Sequence, residues 1–401
     1  MKFAIKKIDI LPVEPIDICG YGFSRGKSKE CEDEIAAVVS VFDDGDRKFV
    51  FASIDTCYVT RFFTDSIRQL WEKLFGIQRE CIILAATHTH SGPGICHCPA
   101  DYLTGTEQLE NMDYLSALTE KLTSAVKVCM ENMQECELVY GFAPVEQCFG
   151  NRNHEYGDYL KESVIWKITD IHDKEIAAIV HLNSHSTFLK GNYQKLSSDL
   201  AGRVRMELEK LWKIPVMIFM GAAGDVSTRY YVKEPTQNAL VKCAAKICNQ
   251  INQNITWIRV DSKQRISSKT ICWKSEYSPK ENSDFQLLLD KCEEGFPFML
   301  EHMMRINNCE KISIDVEVQV YTIGGMSIVC FPGELLTGFA RILEKEVYGK
   351  IAFICCANDY WQYFVPQEEF GEYFESYNSI FHKGEGDKLL LEVQKQLSNK
   401  F

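Results

Sequence analysis

The sequence predicts an α/β fold in which mixed β-sheets are flanked by helices. Three observations carry that expectation. Short apolar or alternating runs recur along the chain, amphipathic helical patterns fall between several of them, and no Pro/Gly/Ser-rich linker, repeat or low-complexity tract interrupts the order. The strand-type runs are Ile35–Phe42, Lys48–Ile54, Cys81–Thr87, Leu138–Phe142, Ile176–Leu182, Val216–Met220, Ile312–Tyr321, Ser327–Phe331 and Ile351–Cys355. Helical periodicity is clearest at Phe62–Leu74, Tyr114–Cys129, Leu200–Leu211, Gln237–Ile251 and Leu335–Val347. Helices follow strands in the first half while strands adjoin one another later, so mixed sheets are expected rather than one doubly wound parallel sheet.

With 401 residues and 46% hydrophobic composition, the chain can bury a large core, and it reads as a single domain over residues 1–401. The polar stretch Lys274–Asn308 reads as an appended helical lobe.

Composition also excludes classes of function. Lys plus Arg number 44 against 56 for Asp plus Glu, a net charge of -12, which disfavours non-specific attraction to nucleic acid or to an anionic membrane. A small-molecule substrate suits such a surface better. The N-terminus Met1-Lys2-Phe3-Ala4-Ile5-Lys6-Lys7 breaks its apolar run with lysines, and no stretch holds eighteen uninterrupted apolar residues, so a cytoplasmic chain with no membrane span is expected. The 17 cysteines are odd in number and sit mostly inside apolar runs, which reads as buried reduced thiols rather than a disulfide framework. Cys96-His97-Cys98 resembles a metal clip, but no second such pair completes a four-ligand site, and an ordinary loop is the preferred reading.

The informative residues gather where predicted strands end, because polar side chains held there by rigid elements are positioned for chemistry. The run Cys81–Ala86 leads into Thr87-His88-Thr89-His90-Ser91-Gly92-Pro93-Gly94. Two histidines two residues apart in an extended segment face one side, and Gly-Pro-Gly then turns the chain sharply away, so His88 and His90 form a candidate metal or catalytic pair. His185 leaves the end of Ala177–Leu182 among small polar residues, a place suited to a ligand; Ser198 and Asp199 further on read as a helix N-cap. Val216–Met220 runs into Gly221-Ala222-Ala223-Gly224-Asp225-Val226-Ser227, whose small residues allow a close approach to a ligand and expose N–H groups for an oxyanion. Ser227 stands at that turn outside any Gly-x-Ser-x-Gly elbow and with no base nearby in sequence. Glu334, after Phe331-Pro332-Gly333, reads as the first residue of a helix, where a carboxylate interacts favourably with the macrodipole.

Taken together and in order, these segments resemble the neutral, non-lysosomal ceramidase family. Its Gly-Tyr-Gly appears as Gly20-Tyr21-Gly22, its Thr-His-Thr-His-Ser-Gly-Pro as Thr87 to Pro93, and its Asn-Arg as Asn151-Arg152. Its strand-end histidine with a downstream Ser-Asp matches His185 with Ser198-Asp199, and its Gly-Asp-Val-Ser matches Gly224 to Ser227. Its Pro-Gly-Glu is Pro332-Gly333-Glu334, and its Asn-x-Tyr-x-x-Tyr runs from Asn358 to Tyr363. The seven motifs span nearly the whole chain.

The resemblance implies a ceramidase-type catalytic domain and a zinc ion held by His88, His185, Glu334 and Tyr363. It implies His90 as a proton shuttle or substrate contact, and Arg152 with a tyrosine as stabilisers of an oxyanion; near the place of the family's tyrosine this sequence offers Tyr373, Phe374 and Tyr377, with Tyr373 taken as the candidate. Ser227 is either a nucleophile or a group that seats the substrate. The family's chains are longer and carry a C-terminal immunoglobulin-like domain, and Thr228-Arg229 stand where they have proline. The expectation is therefore a zinc-dependent hydrolase of an N-acyl (amide) bond in a small soluble molecule rather than in ceramide. An acyltransferase running the condensing direction, and a non-catalytic binding protein on the same fold, are the alternatives.

Overall fold

The computed structural model describes residues 1–21, 26–95, 111–259, 265–295, 297–347 and 351–398. The Cys96-His97-Cys98 segment lies outside the described residues. Two five-stranded sheets and one four-stranded sheet, each mixing parallel and antiparallel neighbours, are covered by helices, so the α/β expectation holds. The first sheet runs Ile82–Ala86, Lys48–Ile54, Ala36–Asp43, Lys2–Asp9, Gln134–Glu135. The second runs Val216–Met220, Glu175–Leu182, Glu162–Thr169, Glu137–Pro144, Thr256–Arg259, and the third Ser267–Tyr277, Ile312–Ile323, Met326–Cys330, Ile351–Ile354.

Strand alternation divides the second sheet between two cores. Trp166, Ile179, Met217 and Phe219 belong to the apolar cluster shared with the first sheet. There Trp166 meets Phe42 and Phe51 edge-on, with ring centroids 6.3 and 6.4 Å apart. Their neighbours Ile165, Val180 and Ile218 join the opposite cluster, which also takes Val204, Leu208, Leu240 and Ile247 from the Asp199–Trp212 and Gln237–Asn254 helices. The Arg61–Phe75 and Met112–Glu131 helices are tied by a bond from Trp71 Nε1 to Thr123 Oγ1 of 3.0 Å, and the second of them packs on the first sheet.

Four strands of four or more residues escaped the sequence reading. Lys2–Asp9 pairs with Ala36–Asp43 in full register although lysines interrupt it, because only alternate residues must be apolar when one face is wet. Ser267–Tyr277 exposes its polar face in the same way, while Glu162–Thr169 and the short Thr256–Arg259 were hidden by charged ends. The polar stretch from Lys274 completes a strand and then forms two helices, Ser283–Gly295 and Leu300–Asn307, inserted between neighbouring strands of the third sheet. The expected helix at Leu335 begins instead at Thr337.

Three strand pairs within the large sheets are parallel: Lys48–Ile54 with Ile82–Ala86, Glu175–Leu182 with Val216–Met220, and Met326–Cys330 with Ile351–Ile354. The chain leaves their carboxyl ends into loops that bond to one another, Ala86 N–H to Cys356 O at 3.1 Å, Cys355 N–H to Met220 O at 2.8 Å and Asn358 N–H to Leu84 O at 2.7 Å. Carboxyl ends of parallel strands gathered at one place are where open α/β sheets bind ligands. Among the described residues, no helix is long and apolar enough to cross a membrane, and every cysteine is a thiol rather than part of a disulfide.

Candidate metal and active site

His88 follows the Ile82–Ala86 strand, His185 follows Glu175–Leu182, and Glu334 follows Met326–Cys330; all three are fully buried. Their nearest ligand atoms lie within 4.8 Å of one another, a group able to hold a metal ion. Glu334 Oε1 is 3.4 Å from His88 Nε2, and Oε2 is 2.6 Å from His185 Nε2. The Glu334 neighbourhood depends on a two-stranded parallel pair that sets Glu334 beside Tyr363. Gly333 permits that approach, since a Cβ there would stand 2.4 Å from Gln362 O.

Hydrogen bonding on the far side of each ring fixes what faces the carboxylate. His88 Nδ1 is 2.6 Å from Cys57 O, and His185 Nδ1 is 2.6 Å from Ala223 O and 3.0 Å from Val226 O. A carbonyl only accepts, so both Nδ1 atoms carry their protons and both Nε2 lone pairs point at Glu334. Lone pairs set against a buried carboxylate at these distances repel unless a proton or a cation stands between them. Two imidazoles and a carboxylate whose outer nitrogens are anchored by carbonyls match the donor set of hydrolytic zinc sites, so the residues fit a divalent metal. In the protein alone, burial pushes both imidazoles down. Glu334 more than reverses this at His88, whereas His185, with Arg152 beside it, stays below its ordinary value. Burial raises the Glu334 carboxyl, but the two histidines overcome that and hold it well below the usual range. A second grouping of Cys57 with His88 and His90 reaches His88 from its Nδ1 edge, which Cys57 O already occupies.

His90 has its Nε2 atom 3.1 Å from His88 Nε2. The Tyr21 N–H donates to His90 Nδ1 at 3.4 Å, which places the ring proton on Nε2, toward the metal group. Gly20 makes this possible: at φ +123 it packs so closely that a Cβ would lie 2.7 Å from His90 Cα. The two histidines do share a side, but not because the segment is extended. His88 sits at φ 59, and the left-handed turn swings the two rings to a centroid separation of 4.7 Å. Non-glycine residues at positive φ recur around the site, at Asp199, Cys356, Asn358 and Gln362, as strained backbone does at functional sites.

Arg152 enters from the Gly150–Asn151 strand. Its Nη1 is 3.4 Å from His185 Nε2, its Nη2 donates to Tyr363 Oη at 3.2 Å, and its Nε donates to Glu375 Oε1 at 2.6 Å. Glu375 is fully buried and also accepts from Asn153 Nδ2 at 3.0 Å, so the guanidinium is clamped at the edge of the metal group. Burial raises the Tyr363 phenol well above its ordinary range, with Glu334 adding to the shift. The hydroxyl of Tyr373 lies 2.5 Å from His154 Nε2, and that histidine, two residues beyond Arg152, is its partner among the described residues. Ser227 pairs with Gly150 across a two-stranded ladder, and its hydroxyl accepts the Arg229 N–H at 3.2 Å. Among the described residues no imidazole or carboxylate bonds to it.

Three sequence readings need correction. Glu334 does not open a helix but faces the two histidines from a short strand. In the Gly221–Val226 loop, read as a source of oxyanion donors, the N–H groups of Gly221, Gly224 and Val226 are taken, bound to the Leu182, Leu335 and Ala223 carbonyls. Ser198 stands at the N-cap position, yet its hydroxyl bonds Asp33 Oδ1 at 3.0 Å. Asp199 instead accepts the Phe188 and Leu189 N–H groups, both at 2.9 Å, and so anchors the loop that follows His185.

No family profile matches the sequence. The structure is similar to that of neutral ceramidase from Pseudomonas aeruginosa, with a TM-score of 0.78 and 16% identity over 99% of this chain and 74% of that one. The fold is ceramidase-like. A ceramidase complexed with C2 superposes with a TM-score of 0.74 at the same identity and coverage. At such low identity the likeness establishes architecture, and the reaction must be argued from the site itself.

Sequence reasoning passed over Glu375, and it quoted Asp225 and Tyr360 within their motifs without a role. Tyr360 Oη donates to Glu334 Oε1 at 2.5 Å, and Asp225 joins Asn151 Nδ2 to Thr337, at 2.9 Å to each backbone or side-chain nitrogen. The tyrosine was findable, since it stands three residues before Tyr363 in the same motif. Tyr360→Phe is expected to lower metal affinity about 10–100-fold by freeing the carboxylate it orients. Competition with a chromophoric chelator measures this, and unchanged affinity would show that the bond does not orient Glu334.

Proposed function

We propose that this chain is a zinc-dependent hydrolase that cleaves the N-acyl (amide) bond of a small soluble substrate. The observation that carries the reading is the buried His88–His185–Glu334 group with the clamped Arg152 guanidinium beside it, set at the carboxyl ends of parallel strands. The structural neighbours are ceramidases, and the acyl-amide chemistry their name states is extended here to this chain. Tyr363, in register with Glu334, serves as the fourth ligand. When bound, zinc supplies Lewis acidity, polarising an amide carbonyl and bringing the ionisation of water toward neutral pH.

The chain's own residues divide the remaining work. Arg152 directs two N–H groups into the site and stabilises negative charge as it develops on the carbonyl oxygen. Tyr373 at the rim becomes a second donor to that oxygen when its hydroxyl turns from His154. His90 gives its Nε2 proton to the departing amine. Ser227 seats the substrate by hydrogen bonding, as the lack of a neighbouring base favours. A net charge of -12 disfavours adsorption to an anionic bilayer, which points to freely dissolved acyl-amines such as N-acyl amino acids and peptides.

Chelator-stripped protein reloaded with zinc, assayed for amine release from short and long N-acyl amino acids, N-acyl peptides and a ceramide, tests the proposal. Zinc-dependent release from a soluble compound is expected. Failure of every compound with the metal fully loaded overturns the hydrolase reading, and activity on ceramide alone overturns the substrate class.

Ser227→Ala is expected to cost roughly 10–100-fold in kcat/KM, the size of one neutral contact of about 1–3 kcal/mol. A loss on the order of 10⁴-fold or more would make Ser227 the nucleophile. Unchanged activity would remove it from the site.

A further inference from the structure

The parallel pairing of Lys48–Ile54 with Ile82–Ala86 sets Ile54 opposite Ala86, so the segments that leave these two strands run side by side. One is Asp55-Thr56-Cys57, and the other is the turn that carries His88. The first holds the second at three points. Asp55 Oδ1 accepts the Thr87 hydroxyl at 3.1 Å, the Cys57 carbonyl meets His88 Nδ1 at 2.6 Å, and the Thr56 hydroxyl donates to Pro93 O at 2.9 Å. Gly92 lets the two segments close up, since a Cβ there would lie 2.9 Å from Asp55 O.

Among these three contacts, the one from Asp55 reaches a second element. Its Oδ2 accepts the Ala36 N–H at 2.9 Å and the Arg205 Nη1 at 2.8 Å, and both Asp55 and Arg205 are buried. Arg205 belongs to the Asp199–Trp212 helix, which also holds the loop of the other histidine. Asp199 bonds the Phe188 and Leu189 N–H groups, and the Ala201 N–H donates at 3.1 Å to the hydroxyl of Ser186, the residue after His185. One helix thus braces both histidine loops, directly at His185 and through Arg205 and Asp55 at His88.

We propose that Asp55 is a positioning residue for the metal group: through Thr87 it keeps His88 in the left-handed backbone, at φ 59, from which Nε2 faces Glu334. A non-glycine residue persists in that region only where its surroundings over-determine it. Here the Thr87 N–H is bonded to Ile54 O at 2.9 Å and its hydroxyl to Asp55, so the residue that enters the turn is held by both backbone and side chain. Once the hydroxyl is released, His88 relaxes toward the extended region and its lone pair swings away from the carboxylate. Desolvation offsets most of the attraction within a buried ion pair, so the Asp55–Arg205 pair serves geometry more than net stability. This role rests on the metal group and not on the hydrolase reading, and it is tested with no substrate present.

The full-length parent, Thr87→Val and Thr87→Ser are stripped of metal and titrated with zinc against a chromophoric chelator, and then loaded with cobalt(II) for visible spectra. Valine keeps the branched shape of threonine without the hydroxyl, and serine keeps the hydroxyl. Thr87→Val is expected to bind zinc about 10–100-fold more weakly, with displaced cobalt bands, while Thr87→Ser stays near the parent. The double variant Asp55→Leu with Arg205→Met replaces the pair by apolar groups, an exchange that buried sites often tolerate, and should weaken zinc binding in the same way. A purely structural role would lower the melting temperature of metal-free Thr87→Val and leave its zinc affinity and cobalt spectrum at parent values, and that result overturns the proposal. So does parent affinity in the double variant, or a loss in Thr87→Ser equal to that in Thr87→Val. A parent chain that takes up no metal would overturn the metal group itself and this role with it.

Discussion

His185→Ala and Glu334→Ala are each expected to leave the protein without stoichiometric metal and to lower kcat/KM on the order of 10⁴-fold or more. His185 contributes a lone pair whose direction is fixed by two carbonyls, and no other described imidazole reaches Glu334 Oε2. Glu334 is the single carboxylate of the group, and without it two neutral rings face the Arg152 cation, a poor place for a second positive charge. Elemental analysis of the purified variants beside the parent chain, which should hold about one zinc, reads the first effect. Steady-state assay of the same preparations reads the second. Full metal retention in both variants would show that the ligands lie elsewhere.

What could be read from the sequence follows from what periodicity encodes. Buried strands such as Val216–Met220 and Lys48–Ile54 announce themselves as apolar runs, and the carboxyl end of the first was found because Gly221 follows it at once. Lys2–Asp9 and Ser267–Tyr277 did not, since a strand with one wet face is half polar. At the site, the residues that touch the metal group are histidines and a glutamate at turns, types scarce enough to stand out. The residues that hold them are not marked in this way. The supporting contacts join positions far apart in sequence: Glu375 bonds Arg152 across 223 residues, and Asn151 meets Asp225 across 74. Nor does sequence show that His88 takes a left-handed backbone, or that Glu334 belongs to a strand pair rather than a helix start, because both depend on the tertiary partners of the segment.

Arg152→Ala is expected to have two separable effects. The guanidinium is the cationic partner of Glu375, which is fully buried, so its removal strands a carboxylate away from water and should destabilise the fold by about 3–5 kcal/mol. It also removes the donors that reach toward His185 and Tyr363, which should lower kcat/KM about 10²–10³-fold if those donors stabilise charge in the transition state. The double variant Arg152→Met with Glu375→Gln pulls these effects apart. Neutralising both partners removes the stranded charge, so its denaturant midpoint should return most of the way to that of the parent, while its kcat/KM should stay as low as that of Arg152→Ala. Metal content must match the parent in both variants for the comparison to read chemistry. If activity returned together with stability, Arg152 would serve only to hold Glu375 and the 150s and 370s segments together, and the charge-stabilising role would fall.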